Sequence, residues 1–398
     1  MRLFKTIYSL FFLFLLIISG CVEPYEYNSE NFKKMIIINA SLTDVLKKQK
    51  VSISHSSPLT KTSANPESGA QILIIDDSQN QFYFEEQTPG EYISKVLFSA
   101  KLGTSYTLKI TLKNGKKYSS KLEKLNIKSN PINLTTSNWL NNSNTRGAAI
   151  LVDSKNPTNS SKFYRYEYDE TYKIIVPFWR NYKLVNDYTS HCAVKLVPKP
   201  ATDPILRVCY NTNSSFNIIQ TNTIELTEDY VKDFVVRFIP ITNTIIAHRY
   251  SILVKQHVIS RDAYTYYELL KKISSQSNIF SQLQSGFVQG NMFSVDDSNE
   301  LVIGFFEVSS EVSKRIYFNF DELFPNENRP IYDCGQLAPP LATLGEACPL
   351  RDALANGYFY ESESSNPGEF VGPYRIVPKK CAECTSEGVL KVPDFWIE

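Results

Sequence analysis

The sequence predicts a mainly β protein with two antiparallel, sandwich-like domains and one helix in the second domain. Tyr and Phe are plentiful, with 24 residues of each, and such side chains suit a pleated, half-buried surface. Short strand patterns recur about every dozen residues in the first third of the chain, with turn residues between them. A single stretch, after Ser260, has apolar residues at helical spacing. These three observations favour a β architecture that a helix interrupts once.

The charge of the chain is nearly balanced. The chain has 42 Lys and Arg residues and 41 Asp and Glu residues, so its formal net charge is +1. No global field therefore attracts nucleic acid or a bare anionic membrane surface, and we expect no nucleic-acid partner. The length of 398 residues predicts two or so domains at roughly 150 residues each.

Residues 1–20 have the features of a signal peptide. A short basic start precedes the apolar run 10–18, and the segment ends in Ser19-Gly20-Cys21. This ending resembles the lipobox of bacterial lipoproteins, in which the cut falls before a cysteine that is then acylated. An ordinary signal peptide or a short transmembrane anchor is the alternative, but a bilayer span needs about 20 apolar residues. We therefore expect Cys21 to be the lipidated N-terminus of the mature chain.

The segment that follows, residues 21–34, is polar and has no periodic pattern, so it is interpreted as a flexible tether. Glu23 and Glu26 form a short acidic pair in it. In lipoproteins of the Bacteroidota, an acidic run at this place helps to direct the protein to the cell surface. We expect an outer-membrane protein that is anchored through Cys21 and faces the cell surface, with the periplasmic face as the open alternative.

The first domain is expected over residues 35–125 as a small β-sandwich. Its clearest element is an alternating strand from Tyr106 to Leu112. Asn114-Gly115 follows it, and this pair favours a type I′ turn that leads into a returning strand at residues 116–119. Further strands are predicted at residues 36–38, 51–54, 72–75 and 82–84.

The second domain is expected over residues 126–398 and is mainly β, with a disulfide-rich tail. In residues 163–172, tyrosines alternate with charged residues, which indicates a strand with one packed and one solvated face. Ser260 is a suitable N-cap for the single helix. Phe395 and Trp396, close to the end of the chain, suggest a docked tail. Further strands are predicted at residues 234–238, 250–258, 292–295, 301–308 and 314–320.

Six cysteines remain besides Cys21, and a secreted chain with an even number is expected to oxidise all of them. We expect one disulfide between Cys192 and Cys209. A redox motif at Cys381 and Cys384 is disfavoured because no helical pattern follows it. For the other four cysteines we expect disulfides that join Cys334 and Cys348 each to one of Cys381 and Cys384. The alternative is a zinc site made of the same four thiolates, which would compete with their oxidation.

No local pattern points to catalysis, a cofactor or a metal site. The sequence has no nucleophile elbow, phosphate-binding loop or dinucleotide fingerprint. Two acids distant in sequence would leave no such signature, so a glycosidase stays an alternative. The histidines have no ligand spacing and are interpreted as surface or strand residues: His55, His191, His248 and His257.

Phe178, Trp179 and Tyr182 are the candidate binding residues. An exposed aromatic group of this kind can stack on a sugar or seat a protein partner. The alternative is that these side chains form the core at the edge of a sandwich.

Several short motifs follow one another in a characteristic order along the chain. They are the lipobox, Ser68-Gly69-Ala70-Gln71-Ile72, Gly90-Glu91-Tyr92, Gly103-Thr104-Ser105-Tyr106, Tyr164-Arg165-Tyr166-Glu167-Tyr168, residues 250–264, Gly290-Asn291, Ile303-Gly304-Phe305-Phe306, Lys314-Arg315-Ile316, Cys381-Ala382-Glu383-Cys384 and Pro393-Asp394-Phe395-Trp396. This order resembles the uncharacterised outer-membrane lipoproteins of Bacteroidota known as domain of unknown function 4249. Genes of that family commonly lie beside a TonB-dependent outer-membrane receptor, so the resemblance implies a receptor partner and supplies no catalytic residues.

The function expected from these observations is binding, as an accessory lipoprotein of a TonB-dependent receptor in nutrient uptake. A cell-surface hydrolase that acts on polysaccharide or peptide is one alternative, and a structural envelope component is another. A hydrolase would show a nucleophile and base, or paired acids, in a pocket, whereas a binding module would show exposed aromatic or apolar side chains.

Overall fold

A computed structural model describes residues 34–57, 65–158, 160–275, 289–342, 347–368 and 371–398. The predicted signal peptide, the lipidation site Cys21 and the tether up to residue 33 lie outside the described residues. Strands account for 46% of the chain and helices for 10%, which confirms the mainly β class. Within the described ranges, every helix is too short or too polar to traverse a bilayer.

The strands fall into an early and a late group along the chain. The early strands are β1 (Ile36–Thr43), β2 (Lys50–His55), β3 (Asn65–Pro66), β4 (Gln71–Asp76), β5 (Gln81–Thr88), β6 (Glu91–Ser94), β7 (Ser105–Thr111), β8 (Lys117–Ser120) and β9 (Glu123–Lys124). The late strands are β10 (Asn133–Leu140), β11 (Arg146–Lys155), β12 (Phe163–Ile175), β13 (Tyr182–Asn186), β14 (Val194–Pro198), β15 (Val208–Ser214), β16 (Ile219–Asn222), β17 (Tyr230–Pro240), β18 (Tyr250–Val258), β19 (Met292–Ser294), β20 (Val302–Phe318), β21 (Tyr358–Glu363) and β22 (Tyr374–Pro378).

One sheet runs through both groups. Its order is β15-β12-β18-β20-β1-β2-β6-β5-β4-β7-β8-β19, with β16, β3 and β9 attached beside this path. The pairing of β1 with β20 is parallel, and every other strand pairing within the described residues is antiparallel. The first half of β20 pairs with β1 and the second half with β18, so this 17-residue strand joins the early strands to the late ones.

The early strands enclose a core of their own. Ile38, Leu42 and Tyr106 are fully buried in it. The same core contains Met292, Val302, Phe306 and Val308, which come from β19 and β20. Residues far beyond position 125 therefore complete the apolar centre of the early strands. The division of the chain at residues 125 and 126 stays a prediction.

The predicted hairpin of β7 and β8 forms, with Ile110 opposite Tyr118. Its turn differs from the type I′ turn that we expected. Gly115 has a φ of 89°, whereas Asn114 is not among the residues with positive φ. The Leu112 amide donates to the Lys116 carbonyl, so three residues form the loop. A three-residue loop with one glycine in the left-handed region is the next common hairpin connection, and it needs only one positive φ.

The late strands form a second core between two sheets. Tyr164, Tyr166 and Tyr168 are buried on one face of β12, as the alternation predicts. The smaller sheet, β10-β11-β17, packs on that face through residues such as Ile150 and Val236. This sheet-on-sheet packing is consistent with a sandwich-like arrangement.

The opposite face of β12 is not simply solvated, and this part of the prediction is wrong. Arg165 is buried there against Glu307 of β20 and the ring of Tyr267. Tyr267 belongs to the predicted helix, which spans Arg261–Ser275 and covers this end of the strand. An alternating pattern shows which residues share a face, but a charged residue on that face can still be covered by another element.

The helix begins as predicted. The Ser260 hydroxyl accepts a hydrogen bond from the Ala263 amide at 3.2 Å, which is an N-cap contact. Ala263 and Tyr266 are buried against Phe305 and Phe163. The described residues also contain helices that we did not expect, at Phe320–Leu323, Pro349–Ala355 and Lys379–Ala382.

All six cysteines in the described part of the chain form disulfides, which confirms their predicted oxidation. The pair Cys334–Cys381 is one that we expected. The predicted bond between Cys192 and Cys209 is wrong, and so is the pairing of Cys348 with Cys381 or Cys384. The observed bonds are Cys192–Cys348, Cys209–Cys384 and Cys334–Cys381.

The reason for the different pairing is where the two early cysteines lie. Cys192 belongs to the loop of the β13-β14 hairpin, whereas Cys209 lies on β15 of the large sheet, buried in the second core. Closeness in sequence therefore does not bring them together. The zinc interpretation is also wrong, because a sulfur in a disulfide offers no thiolate.

The end of the chain is docked, as expected. The Trp396 ring contacts Tyr210 and Tyr317 edge-on, with centroids 4.9 and 6.3 Å away. The Glu398 carboxylate receives two hydrogen bonds from the Lys173 ammonium at 2.9 Å. The tail thus covers part of the outer surface of the large sheet.

Candidate ligand-binding cleft

Two of the three predicted binding aromatics share one groove. Phe178 and Tyr182 line a groove of about 200 Å³, together with Tyr358 and Tyr360 of the disulfide-rich tail. Tyr182 is 49% exposed. Trp179 is half-buried and packs against the second core instead of lining the groove. The groove can therefore present Phe178 and Tyr182 together, with Trp179 as their support.

Arg180 fixes one wall of this aromatic groove. Its guanidinium donates to the Glu361 carbonyl at 2.7 Å and to the Glu361 carboxylate at 3.0 Å. The same group lies 5.9 Å from the Phe178 ring centroid. Tyr and Arg are enriched among the residues that contribute most of the binding energy in protein interfaces, and here an exposed Tyr lies beside an Arg that hydrogen bonds fix in place.

A larger cleft, of about 420 Å³, lies where the early and late strands meet. Its late wall consists of neighbouring side chains on three adjacent strands. In the register, His257 of β18 lies opposite Glu311 of β20 and Arg165 of β12, and Lys255 lies opposite Glu167. Directly opposed residues share a face of the sheet. The early wall comes from the end of β1, the loop after it and the first residue of β2, with Thr43, Lys47, Lys48, Gln49 and Lys50.

His257 is the unusual residue of the cleft. It is 2% exposed, and its Nε2 has no hydrogen-bond partner among the described residues. The nearest acid is Glu167, whose Oε2 lies 3.7 Å away. On the other side of the ring, Nδ1 lies 3.5 Å from the Ser309 hydroxyl. A buried polar atom without a partner is costly, and a ligand or water that pairs with it recovers that cost.

The proton of Ser309 decides which ring nitrogen is protonated. The Ser309 hydroxyl donates its proton to the Glu307 carboxylate at 2.8 Å, so a lone pair of the hydroxyl oxygen faces His257. The Nδ1 of His257 must then be the donor to Ser309. On the other side of the ring, Nε2 faces the Glu167 carboxylate, 3.7 Å away.

A buried ion pair between Arg165 and Glu307 lies next to Glu167. Arg165 donates from Nε and Nη2 to the two carboxylate oxygens of Glu307, at 2.9 and 2.8 Å, and it also contacts Glu167. Burial raises the pKa of Glu307, but the charge and hydrogen bonds of Arg165, together with His257 and Ser309, outweigh burial and hold that pKa below its ordinary value. For Glu167, burial is likewise outweighed by His257 and Arg165, and its pKa lies well below the ordinary value. Both groups are therefore carboxylates.

Ser309, His257 and Glu167 stand in the order of a hydrolytic triad, but their chemistry differs from one. Ser309 is fully buried, and its proton is held by Glu307. A nucleophile needs access to substrate and a base that takes its proton. Glu167 has a lowered pKa, whereas a general acid of a glycosidase needs a raised one. This arrangement is suited to holding a ligand.

No local pattern in the sequence indicates this cleft. We interpreted His257 as an ordinary strand or surface residue, and the pairing of β12 with β18 joins residues about ninety positions apart, such as Tyr166 and Gln256. The alternation of residues 163–172 did place Arg165 and Glu167 on one face. The partners of that face depend on strand register, which no local pattern specifies.

A second cluster of ligand-type side chains lies near the tail. His191, Cys192 and Cys348 approach each other closely enough to hold a metal ion. The two cysteines form a disulfide, however, and so provide no thiolate. We assign no metal to this cluster.

Comparison with known proteins identifies a family. The family model described as Domain of unknown function (DUF4249) matches residues 22–315. No curated protein matches the chain. Among solved structures, a DUF4785 family protein from Legionella pneumophila is similar at 10% identity and a TM-score of 0.17, over 55% of this chain and 50% of its own. The B domain of a biofilm associated protein is similar at 8% identity and a TM-score of 0.14, over 75% of this chain and 91% of its own. The chain thus spans about half the length of the first of these structures.

Proposed function

Because the chain belongs to the family described as domain of unknown function (DUF4249), we propose that it is a lipid-anchored binding protein of the outer membrane that assists a TonB-dependent receptor. Its anchor is the acylated Cys21, and its ligand is a small polyhydroxylated molecule, such as a saccharide, held in the cleft of His257 and Glu167. The family resemblance supports the receptor partnership, and the chemistry of the cleft supports the ligand class.

The Glu167 carboxylate carries the ligand assignment. Its side chain is 46% exposed at the wall of the cleft, where it offers acceptors to the donors of a ligand. Lys255 and Lys47 add donors on the same cleft, each paired with an acid. A sugar hydroxyl both donates and accepts, so it fits a wall where donors and acceptors alternate. The volume of about 420 Å³ lies within the range of small-molecule sites, about 300–1,000 Å³.

A matched pair of substitutions tests the cleft. Glu167→Gln retains one acceptor oxygen at the cleft wall, whereas Glu167→Met removes both carboxylate oxygens. We expect Glu167→Met to weaken binding of a saccharide about tenfold, the effect of one hydrogen bond, and Glu167→Gln to weaken it less. Titration calorimetry with a panel of monosaccharides and disaccharides measures both affinities.

Several outcomes would contradict the ligand assignment. If no saccharide in the panel binds the wild-type protein, the ligand class is wrong. If both variants bind as tightly as the wild type, the ligand lies elsewhere. If the protein cleaves a bound glycan, the hydrolase alternative replaces binding.

The aromatic groove supports a test of the receptor partnership. Tyr182→Ala should reduce the amount of outer-membrane receptor that co-purifies with the protein from native membranes. The melting temperature should stay unchanged, because Tyr182 is 49% exposed. Tyr188→Ala is the matched control, since Tyr188 is 92% exposed in the loop of the same hairpin. Recovery of the same amount of receptor with both variants would remove the groove from the interface, and absence of any receptor with the wild type would contradict the partnership.

A further inference from the structure

A separate pocket, of about 360 Å³, lies at one end of the large sheet. β12 ends there at Ile175, and its two antiparallel neighbours begin there, β15 at Val208 and β18 at Tyr250. The loop of residues 329–334 closes the third side. The pocket shares no residue with the cleft proposed for a saccharide, so a ligand here is independent of that one.

Much of the wall of this pocket is apolar. Ile331 is 85% exposed, whereas Phe178 and Tyr332 are half-buried. A ligand with an apolar body would remove such surface from water, which favours its binding. The apolar and aromatic side chains of the wall include Val176, Pro177, Phe178, Pro330, Ile331 and Tyr332.

Contacts between the segments hold the wall in place. The Phe178 amide donates to the Cys381 carbonyl at 3.0 Å, and Cys381 forms a disulfide with Cys334 of the third side. The Val176 amide donates to the Arg207 carbonyl at 3.1 Å, which joins the end of β12 to the start of β15. The pocket is therefore largely formed before a ligand enters, so binding has little further conformational entropy to remove.

The charged groups of the wall are cations. It contains the guanidinium groups of Arg207 and Arg329, and no Asp or Glu is among its described lining residues. The charge of Arg329 is compensated, because Asp321 outside the wall forms an ion pair with it. Arg207 has no ion-pair partner in the described part of the chain, neither Asp203 nor Asp333 of the adjoining loops. The uncompensated charge of the wall is that of Arg207.

His248 of the same wall carries a further donor. Arg329 donates from Nη1 to the Nδ1 of His248 at 3.2 Å, and Nδ1 must accept because a guanidinium only donates. Burial and the charge of Arg329 lower the pKa of His248 to about 4, so the ring is neutral at neutral pH. Its proton is then on Nε2, and no group within the described ranges accepts it. Arg207, Arg329 and His248 thus supply N–H donors beside an apolar surface.

We propose that this pocket binds a small monocarboxylate with an apolar body. An ionised carboxylate only accepts hydrogen bonds, and its two oxygens match the paired N–H groups of a guanidinium such as that of Arg207. The apolar body would cover Ile331 and its neighbours. Inorganic phosphate would leave that surface uncovered, and a neutral apolar molecule would leave the charge of Arg207 without a partner. The volume of the pocket lies within the range of small-molecule sites.

Titration calorimetry with matched acids and alcohols tests the ligand class. The protein is the full chain with Cys21→Ser, which prevents acylation. The probes are octanoate and 2-naphthoate, a straight-chain and an aromatic acid, each compared with the alcohol that has the same apolar body. We expect at least one acid to bind about tenfold more tightly than its alcohol, and Arg207→Gln to remove this difference. Added salt should weaken binding of the acid only.

Arg261→Gln is the matched control for charge. It makes the same substitution at an exposed residue beyond the other end of β18, and it should leave the affinities unchanged. Ile331→Asp is a second test, because its 85% exposure means that the fold tolerates the change. A negative charge there should weaken binding of the acid more than binding of the alcohol.

Four results would each overturn the proposal. Equal affinity for acid and alcohol would show that charge is not recognised, and unchanged affinity in Arg207→Gln would place the ligand elsewhere. Equal losses in Arg207→Gln and Arg261→Gln would indicate attraction by net charge, and binding of none of the probes would remove the site. Failure of the saccharide panel would not affect these measurements, since the two sites share no residue.

Discussion

Replacing Arg165 with Met is expected to lower the free energy of unfolding by about 3–5 kcal/mol. The substitution retains most of the side-chain volume but leaves the Glu307 carboxylate, which is 1% exposed, without its cation. A buried charge without a partner is far more destabilising than the pair is stabilising. Urea denaturation at neutral pH measures the effect.

The pH dependence of this variant gives an independent check. In the wild type, the pKa of Glu307 is lower than its ordinary value, so the pair stabilises the fold above that ordinary value and the stabilisation is lost as the pH falls through the folded pKa. Without Arg165, burial raises the pKa of Glu307, and protonation at mildly acidic pH relieves the buried charge. The difference between variant and wild type should therefore shrink on acidification.

The double variant Arg165→Met with Glu307→Gln is the control. It removes the charge as well as its partner and should recover much of the lost stability. A single variant that loses less than about 1 kcal/mol would show that Glu307 reaches solvent or another cation, contrary to its burial.

Removal of the Cys209–Cys384 bond by Cys209→Ala with Cys384→Ala should cost about 3–4 kcal/mol in loop-closure entropy, to which lost packing is added. The sequence separation of 175 overstates the loop that this bond closes. With the other two bonds intact, the Cys209–Cys384 bond closes a shorter circuit. It consists of residues 192–209, 334–348 and 381–384, which the bonds Cys192–Cys348 and Cys334–Cys381 join. Thermal and urea denaturation of the oxidised protein measure the loss.

The bond Cys192–Cys348 provides a matched control because it closes the same circuit. Cys192→Ala with Cys348→Ala should therefore lose a similar entropic contribution. Cys209 and Cys384 belong to the second core, whereas Cys192 and Cys348 do not. Removal of Cys209 and Cys384 should therefore cost about 1–2 kcal/mol more, because packing in that core is lost. Equal losses for the two pairs would show that the core bond contributes through chain entropy only.

Local patterns in the sequence predicted the elements but not their partners. The alternation around Tyr106 and the N-cap Ser260 depend on neighbours within a few residues, and both form as expected. Which elements cover a strand depends on contacts between distant positions. For that reason Arg165 was expected on a solvated face, and His257 was not recognised as part of a cleft.

The same limit explains the errors in the disulfides. Oxidation of the six thiols was predicted from their even number and from an expected secreted location, whereas their pairing depends on which sheet carries each cysteine. Cys209 is directed to Cys384 because β15 lies at the edge of the large sheet and the docked tail passes over that edge. The Tyr210 amide bonds to the Val389 carbonyl there, at 2.8 Å. No spacing of residues in the sequence indicates that these two segments lie side by side.

The parallel pairing of β1 with β20 has a consequence for a chain that is made from its N-terminus. Ile36 cannot meet Val302 until about three quarters of the polypeptide has left the ribosome or a translocation channel. During that time the early strands present an open apolar face and an unpaired edge, which are the sites that chaperones bind and proteases cut. The late synthesis of β20 should therefore limit how fast the protein matures, much more than the propensity of the early strands to fold does.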